Sequence, residues 1–98
     1  MRAPIATPEQ MIKMLRRNAT AIATPEAQLQ LEVIAQALRD AEGMTREKEA
    51  LEARDEARQF FLKRRSDLHA ELCGLCPDFL VDMVLKHTTW GQQLRRDK

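Results

Sequence analysis

"TREKEALEARDEARQFFLKRRSDLHAELCGLCP", residues 45–77, decides the fold. Thr45 reads as a helix N-cap and no proline follows until Pro77, so the stretch predicts one long helix from Thr45 to about Leu75. Such a helix has about 30 residues and a length of roughly 45 Å, longer than a small domain is wide. Its first half, Arg46 to Arg58, is charged around most of its circumference, with Ala50, Leu51, Ala53 and Ala57 as a narrow apolar seam. Its second half carries Phe60, Phe61 and Leu62 in succession, then Leu68, Leu72 and Leu75. Adjacent helical residues point about 100° apart, so one neighbouring helix cannot cover all three of the first group.

Upstream, the same start signal occurs twice. Thr7-Pro8-Glu9 and Thr24-Pro25-Glu26 each place a threonine at the N-cap, a proline at the first helical position and an acid near the positive end of the helix dipole. Gln10 completes a capping box at the first. Helix one is expected over Pro8 to Asn18, with Met11, Ile12 and Leu15 on one side. Helix two is expected over Pro25 to Glu42, with Ala27, Leu31, Ile34, Leu38 and Ala41 on a stripe broadened by Val33 and Ala37. Gly43 stands where a left-handed cap would end it. A last helix should begin at Pro77 and present Phe79, Leu80, Met83, Val84 and His87, before Thr88, Thr89 and Gly91 interrupt it. Residues 1–7 and 91–98 read as flexible ends of a single domain.

The expected architecture is therefore all-α, with three to four helices and the long central helix in an antiparallel hairpin with its predecessor. Helix two, at 18 residues, covers little more than half of that central helix. The uncovered half predicts a dimeric helical bundle, with Phe60, Phe61, Leu62 and Leu68 at the interface; a monomeric four-helix bundle is the alternative.

Composition narrows the class. The chain has 98 residues, 44% of them hydrophobic and 32% charged, with three Gly, four Pro and no Tyr, which suits helices rather than a β-sandwich or a disordered tail. A formal net charge of +1 provides no bulk field for nucleic acid or an anionic membrane. No apolar run has the length of a signal-peptide core or a membrane span, so a cytoplasmic protein with no membrane partner is expected. Two cysteines three positions apart cannot staple distant parts of a fold, which makes reduced thiols the default.

The one motif with the look of chemistry is "HAELCGLC". His69, Cys73 and Cys76 have zinc-ligand spacing, and His87, the only other histidine, could close a tetrahedral site. The motif resembles the His-x3-Cys-x-x-Cys core of zinc-binding anti-sigma factors, small helical bacterial proteins that clamp a sigma factor. The resemblance covers eight residues, and the upstream fourth ligand usual in that family has no counterpart before His69. It implies a zinc-stabilised regulator. The residues themselves favour the plainer reading, two small structural thiols in an apolar stripe, with zinc as the minority hypothesis and no other cofactor. A redox pair would sit at a helix N-terminus, whereas Cys73 lies near a C-terminus.

Gly43, Gly74 and Gly91 are isolated and build no phosphate loop, and neither Gly-x-Ser-x-Gly nor His-Glu-x-x-His occurs, so no enzyme is expected. Lys63, Arg64 and Arg65, beside Phe60 and Phe61, form the strongest basic surface and the basis for an alternative nucleic-acid-binding reading; Arg16-Arg17 and Arg95-Arg96 are weaker. Nearby Asp55, Glu56 and Asp67 dilute that field. The expectation is a non-enzymatic protein–protein interaction module, a small regulator or inhibitor of bacterial or phage type that occupies a partner protein's surface.

Overall fold

The computed structural model describes residues 4–20, 23–43 and 48–96, with the side chains of 48–50 and of Arg95 and Arg96 left aside. Six helices occur among these residues, and no strand: α1 (Pro8–Asn18), α2 (Pro25–Glu42), α3 (Lys48–Leu62), α4 (Ser66–Leu72), α5 (Pro77–His87) and α6 (Thr89–Arg96).

The first two starts form as their sequences dictate. At α1 the Thr7 N–H donates to Gln10 Oε1 at 2.8 Å and the Gln10 N–H donates to Thr7 Oγ1 at 3.2 Å, a complete capping box. At α2 the Ala27 N–H donates to Thr24 Oγ1 at 3.1 Å. Helix α2 ends on Gly43, but with φ −11° rather than in the left-handed conformation. Close approach explains that glycine instead: a Cβ there would lie 3.2 Å from Arg54 Cβ, where α3 returns along α2. The expected N-cap, Thr45, lies outside the described residues.

The single long helix does not form. Residues 63–65 make a turn, and Arg64 adopts φ 62°, the only non-glycine residue with positive φ among the described residues. The Arg64 N–H donates back to Phe61 O at 3.1 Å, and the Asp67 N–H donates to Arg64 O at 3.2 Å as α4 begins. The molecule's longest extent is 36 Å, less than the roughly 45 Å an unbroken helix would need. Breaking the rod lets α4 fold back against α2 and brings Phe61 into the centre.

Helix α4 closes with a Schellman motif. Gly74 sits at φ 78°, the Gly74 N–H donates to Glu71 O at 3.1 Å, and the Leu75 N–H donates to Ala70 O at 2.8 Å. Pro77 then opens α5.

The expected break after His87 is one residue long. Thr88 Oγ1 donates to Val84 O at 2.6 Å and accepts the Gly91 N–H at 3.0 Å, so Thr88 ends α5 and caps α6 together. From Gly91 the chain runs as helix through Arg96, where a flexible tail was expected, and Trp90 is buried. At the other end, residues 4–7 are tied down: the Ala6 N–H donates to His87 O at 2.8 Å, and His87 Nδ1 bonds Pro4 O at 2.9 Å.

Helix α2 is the hub, packing against α1, α3 and α4, while α5 joins α4 to α6. Met11, Leu15, Leu31, Ile34, Leu38, Phe61, Leu80 and Val84 fill one continuous core. Full burial of side chains this size is each worth about 1.5–3 kcal/mol, so the folded chain is stabilised from within.

Candidate interaction surface

Phe61, Phe60, Leu62 and Leu68 are parted by the fold. Phe61 is 0% exposed and belongs to the core of its own chain, so it is withdrawn from any interface. Phe60 and Leu62 are half-buried against that core. Leu68 is 61% exposed on the outer side of α4, because Ser66, Ala70 and Cys73 turn inward and position 68 falls on the opposite face.

Leu72, one helical turn after Leu68, is 52% exposed, making a pair of outward leucines on a seven-residue helix. A second pair stands on α2, where Leu29 and Val33 lie off the buried stripe and are exposed. The two helices meet at Gln30 and His69, whose Oε1 and Nδ1 are hydrogen-bonded, and the His69 ring packs on Phe60 with centroids 5.5 Å apart. A shallow groove of about 400 Å³ runs on between α2 and α3, floored by Val33, Ala37, Ala53, Ala57 and Phe60 and edged by Asp40 and Glu56. Exposed apolar side chains thus occur on α2 and α4, and the groove joins α2 to α3. The sequence places Leu68 at the interface and Leu72 only in the apolar stripe; Leu29 has no signal, being a single leucine opposite a strong stripe.

The basic surface is partly neutralised. Arg64 bonds both Asp67, at 3.0 Å, and Asp78, and these two carboxylates raise its pKa, Asp78 the more strongly. Lys63 and Arg65 are exposed beside it.

The four candidate metal ligands are not gathered. Among the described residues no group of three or more His, Cys, Asp or Glu side chains is placed to hold an ion. His69 faces Gln30 and His87 bonds Pro4 O, so each imidazole already has a partner on a different part of the molecule. Cys73 is buried with its thiol directed to Ala70 O at 3.4 Å, and burial pushes its pKa up; Cys76 is exposed. The Schellman turn at Gly74 separates the two thiols into core and surface.

One charged cluster had no sequence signal. Arg58 on α3 donates from Nε to Ala41 O at 3.0 Å, closing the carbonyl end of α2, and its guanidinium lies over Trp90, 5.4 Å from the ring centroid. Desolvation, with Arg54 adding to it, lowers the Arg58 pKa. Nearby Glu42 has a buried Oε1 without a partner, and desolvation raises its pKa against the pull of Arg58.

Comparison with known proteins returns no significant similarity: no family model, curated protein or solved structure matches this chain. Among the described residues, no helix is long and apolar enough to cross a membrane.

Proposed function

We propose that this chain is a non-enzymatic protein–protein interaction module, a small regulator or inhibitor that pairs with a second copy and docks on a partner protein. The observation that carries the reading is the outward leucine pair Leu68 and Leu72, with Leu29 and Val33 also exposed on α2, on a molecule whose core is already filled. Large apolar side chains that the chain leaves uncovered are the usual material of an association surface.

Charge along α3 supports self-pairing. The Lys63 N–H donates to Gln59 O at 2.8 Å, so helical geometry extends to Lys63, and Glu56, Phe60 and Lys63 share one side of α3. An isologous two-fold contact centred on Phe60 sets Glu56 of each copy against Lys63 of the other, with the apolar groove between them. Arg64, held by Asp67 and Asp78, has less to offer a phosphate, which favours a protein partner over nucleic acid.

The mass in solution tests the self-pairing. Wild type should sediment at twice the 11.3 kDa chain mass, and Leu68→Glu combined with Leu72→Glu should give a monomer of unchanged helicity. A wild-type monomer at all concentrations rules the pairing out.

A further inference from the structure

The groove between α2 and α3 has a floor and walls of different character. Ala37, Ala53 and Ala57 form the floor, Val33 and Phe60 lie at one end, and Asp40 and Glu56 stand on opposite walls. We infer that this groove takes a short helix of a partner protein, with an apolar stripe on the floor and Lys or Arg on both sides of that stripe. The inference rests on the docking half of the function proposed above and names the partner element; it does not require the pairing of two copies.

Shape makes the occupant a helix. Arg54 lies against Gly43 at one end of the hairpin, and Phe60 packs on His69, the partner of Gln30, at the other, so α2 and α3 run antiparallel. Val33 to Asp40 and Ala53 to Phe60 each cover about two helical turns, roughly 10 Å. A third helix laid along two antiparallel ones is the ordinary arrangement of a bundle, and an amphipathic helix commonly enters a groove in this way. The alanines set how close it comes. With no side chain beyond Cβ on Ala37, Ala53 and Ala57, an incoming axis can approach to the near end of the roughly 8–10 Å range of packed helices.

Charge makes that helix basic. Glu56 has no cation within ion-pair distance among the described residues. On the opposite wall, Asp40 Oδ1 accepts from the neutral Gln36 Nε2 at 2.9 Å. The neighbouring arginines are engaged elsewhere: Arg54 bonds Asp55, and Arg39 reaches Glu9 on α1. Both walls therefore carry an acid and neither carries a base. A helix basic on both flanks complements them, an acidic one is repelled, and a nucleic acid meets like charge. The pairing described above supplies Lys63 to Glu56; a basic helix supplies a cation to each wall and competes with the second copy for the same groove.

The probe is a fluorescein-labelled amphipathic peptide of about 14 residues, built from Leu, Ala and Lys with leucine on one stripe and lysine on both sides of it. Its counterpart has every lysine replaced by glutamate. With wild type at low salt, the anisotropy of the lysine peptide should rise saturably with a Kd of about 100 µM or below, and the glutamate peptide should bind at least about tenfold more weakly. Glu56→Lys should weaken the lysine peptide by about fivefold or more, and Ala53→Gln, which fills the floor without changing charge, should do the same. Both positions are exposed, so both variants should keep wild-type helicity, which is measured alongside. Glu71→Lys makes the same charge change at an exposed site on α4 and should leave binding within about twofold. The chain carrying Leu68→Glu and Leu72→Glu should also bind, since no second copy competes there. No saturable response from either wild type or that double variant, equal binding of the two peptides, undiminished binding by Glu56→Lys and Ala53→Gln, or an equal loss in Glu71→Lys would each overturn the assignment. A wild-type monomer that binds the lysine peptide supports it and overturns the pairing alone.

Discussion

Arg64 holds a left-handed backbone at φ 62° while its guanidinium bonds Asp78 in the first turn of α5, so the residue that stops α3 also ties the turn to α5. The two roles pull in opposite directions. The backbone favours glycine, and the side chain favours arginine.

Substitution separates them. Arg64→Ala removes both ion pairs and keeps a Cβ in a conformation it resists; Arg64→Gly removes the same ion pairs and relieves the backbone. The glycine variant should exceed the alanine variant in unfolding free energy by about 1 kcal/mol. Equal denaturation midpoints for the two would show that the turn does not hold Arg64 left-handed.

The same residue marks the limit of what the sequence makes legible. Helices α1, α2 and α5 are readable to the residue, because the Thr7 and Thr24 caps and the fixed φ of Pro77 at the first helical position act locally and need no tertiary information. The end of α3 is not, since Lys63-Arg64-Arg65 contains neither Gly nor Pro and helix propensity alone runs straight through it. The turn is selected by what it permits, the burial of Phe61 and the return of α4 onto α2. Misreading it converted a core phenylalanine into an interface residue. The zinc-like spacing was equally local, and the Gly74 turn sends its two thiols to different environments. Leu68 was legible only as one of four candidates for self-association; Arg58 with Trp90 was not legible at all, because 32 positions of sequence separate a pair that only the return of α6 to α3 brings together.

Glu42 should make stability depend on pH. Burial raises its pKa in the folded state, so the folded chain holds the proton more tightly than the unfolded chain. Below the ordinary glutamate range both states are protonated and there is no penalty. As pH rises from that range through the raised value, the folded carboxylate ionises at a cost and stability falls. Glu42→Gln removes the ionisation. It should be more stable than wild type at neutral pH, with the gap closing in acid; a gap that persists unchanged in acid would assign the gain to something other than charge.

The two cysteines should differ in reactivity despite standing three residues apart. Cys76 is exposed, whereas Cys73 is buried with a raised pKa, and only the thiolate reacts. An aromatic disulfide reagent at mildly alkaline pH should titrate one thiol rapidly and the second only at the rate of unfolding. Fast reaction of both would contradict the burial of Cys73.

Gly91 is the position least able to accept a methyl group. A Cβ there would lie 2.6 Å from Leu85 Cα, Leu85 O and Thr88 Oγ1, two of them backbone atoms. Thr88 cannot swing aside freely, because its hydroxyl joins Val84 O to the Gly91 N–H. Relief therefore requires α6 to move away from α5, which would draw Trp90 out of its burial. Gly91→Ala should cost about 1–3 kcal/mol and shift tryptophan emission to longer wavelength. Gly43→Ala is the contrast, since its nearest contacts are 3.1 and 3.2 Å rather than 2.6 Å, so a shift of a few tenths of an ångström would admit the methyl group. If Gly91→Ala proved as mild as Gly43→Ala, the close seating of α6 on α5 would be wrong, and with it the placement of Trp90 against Arg58.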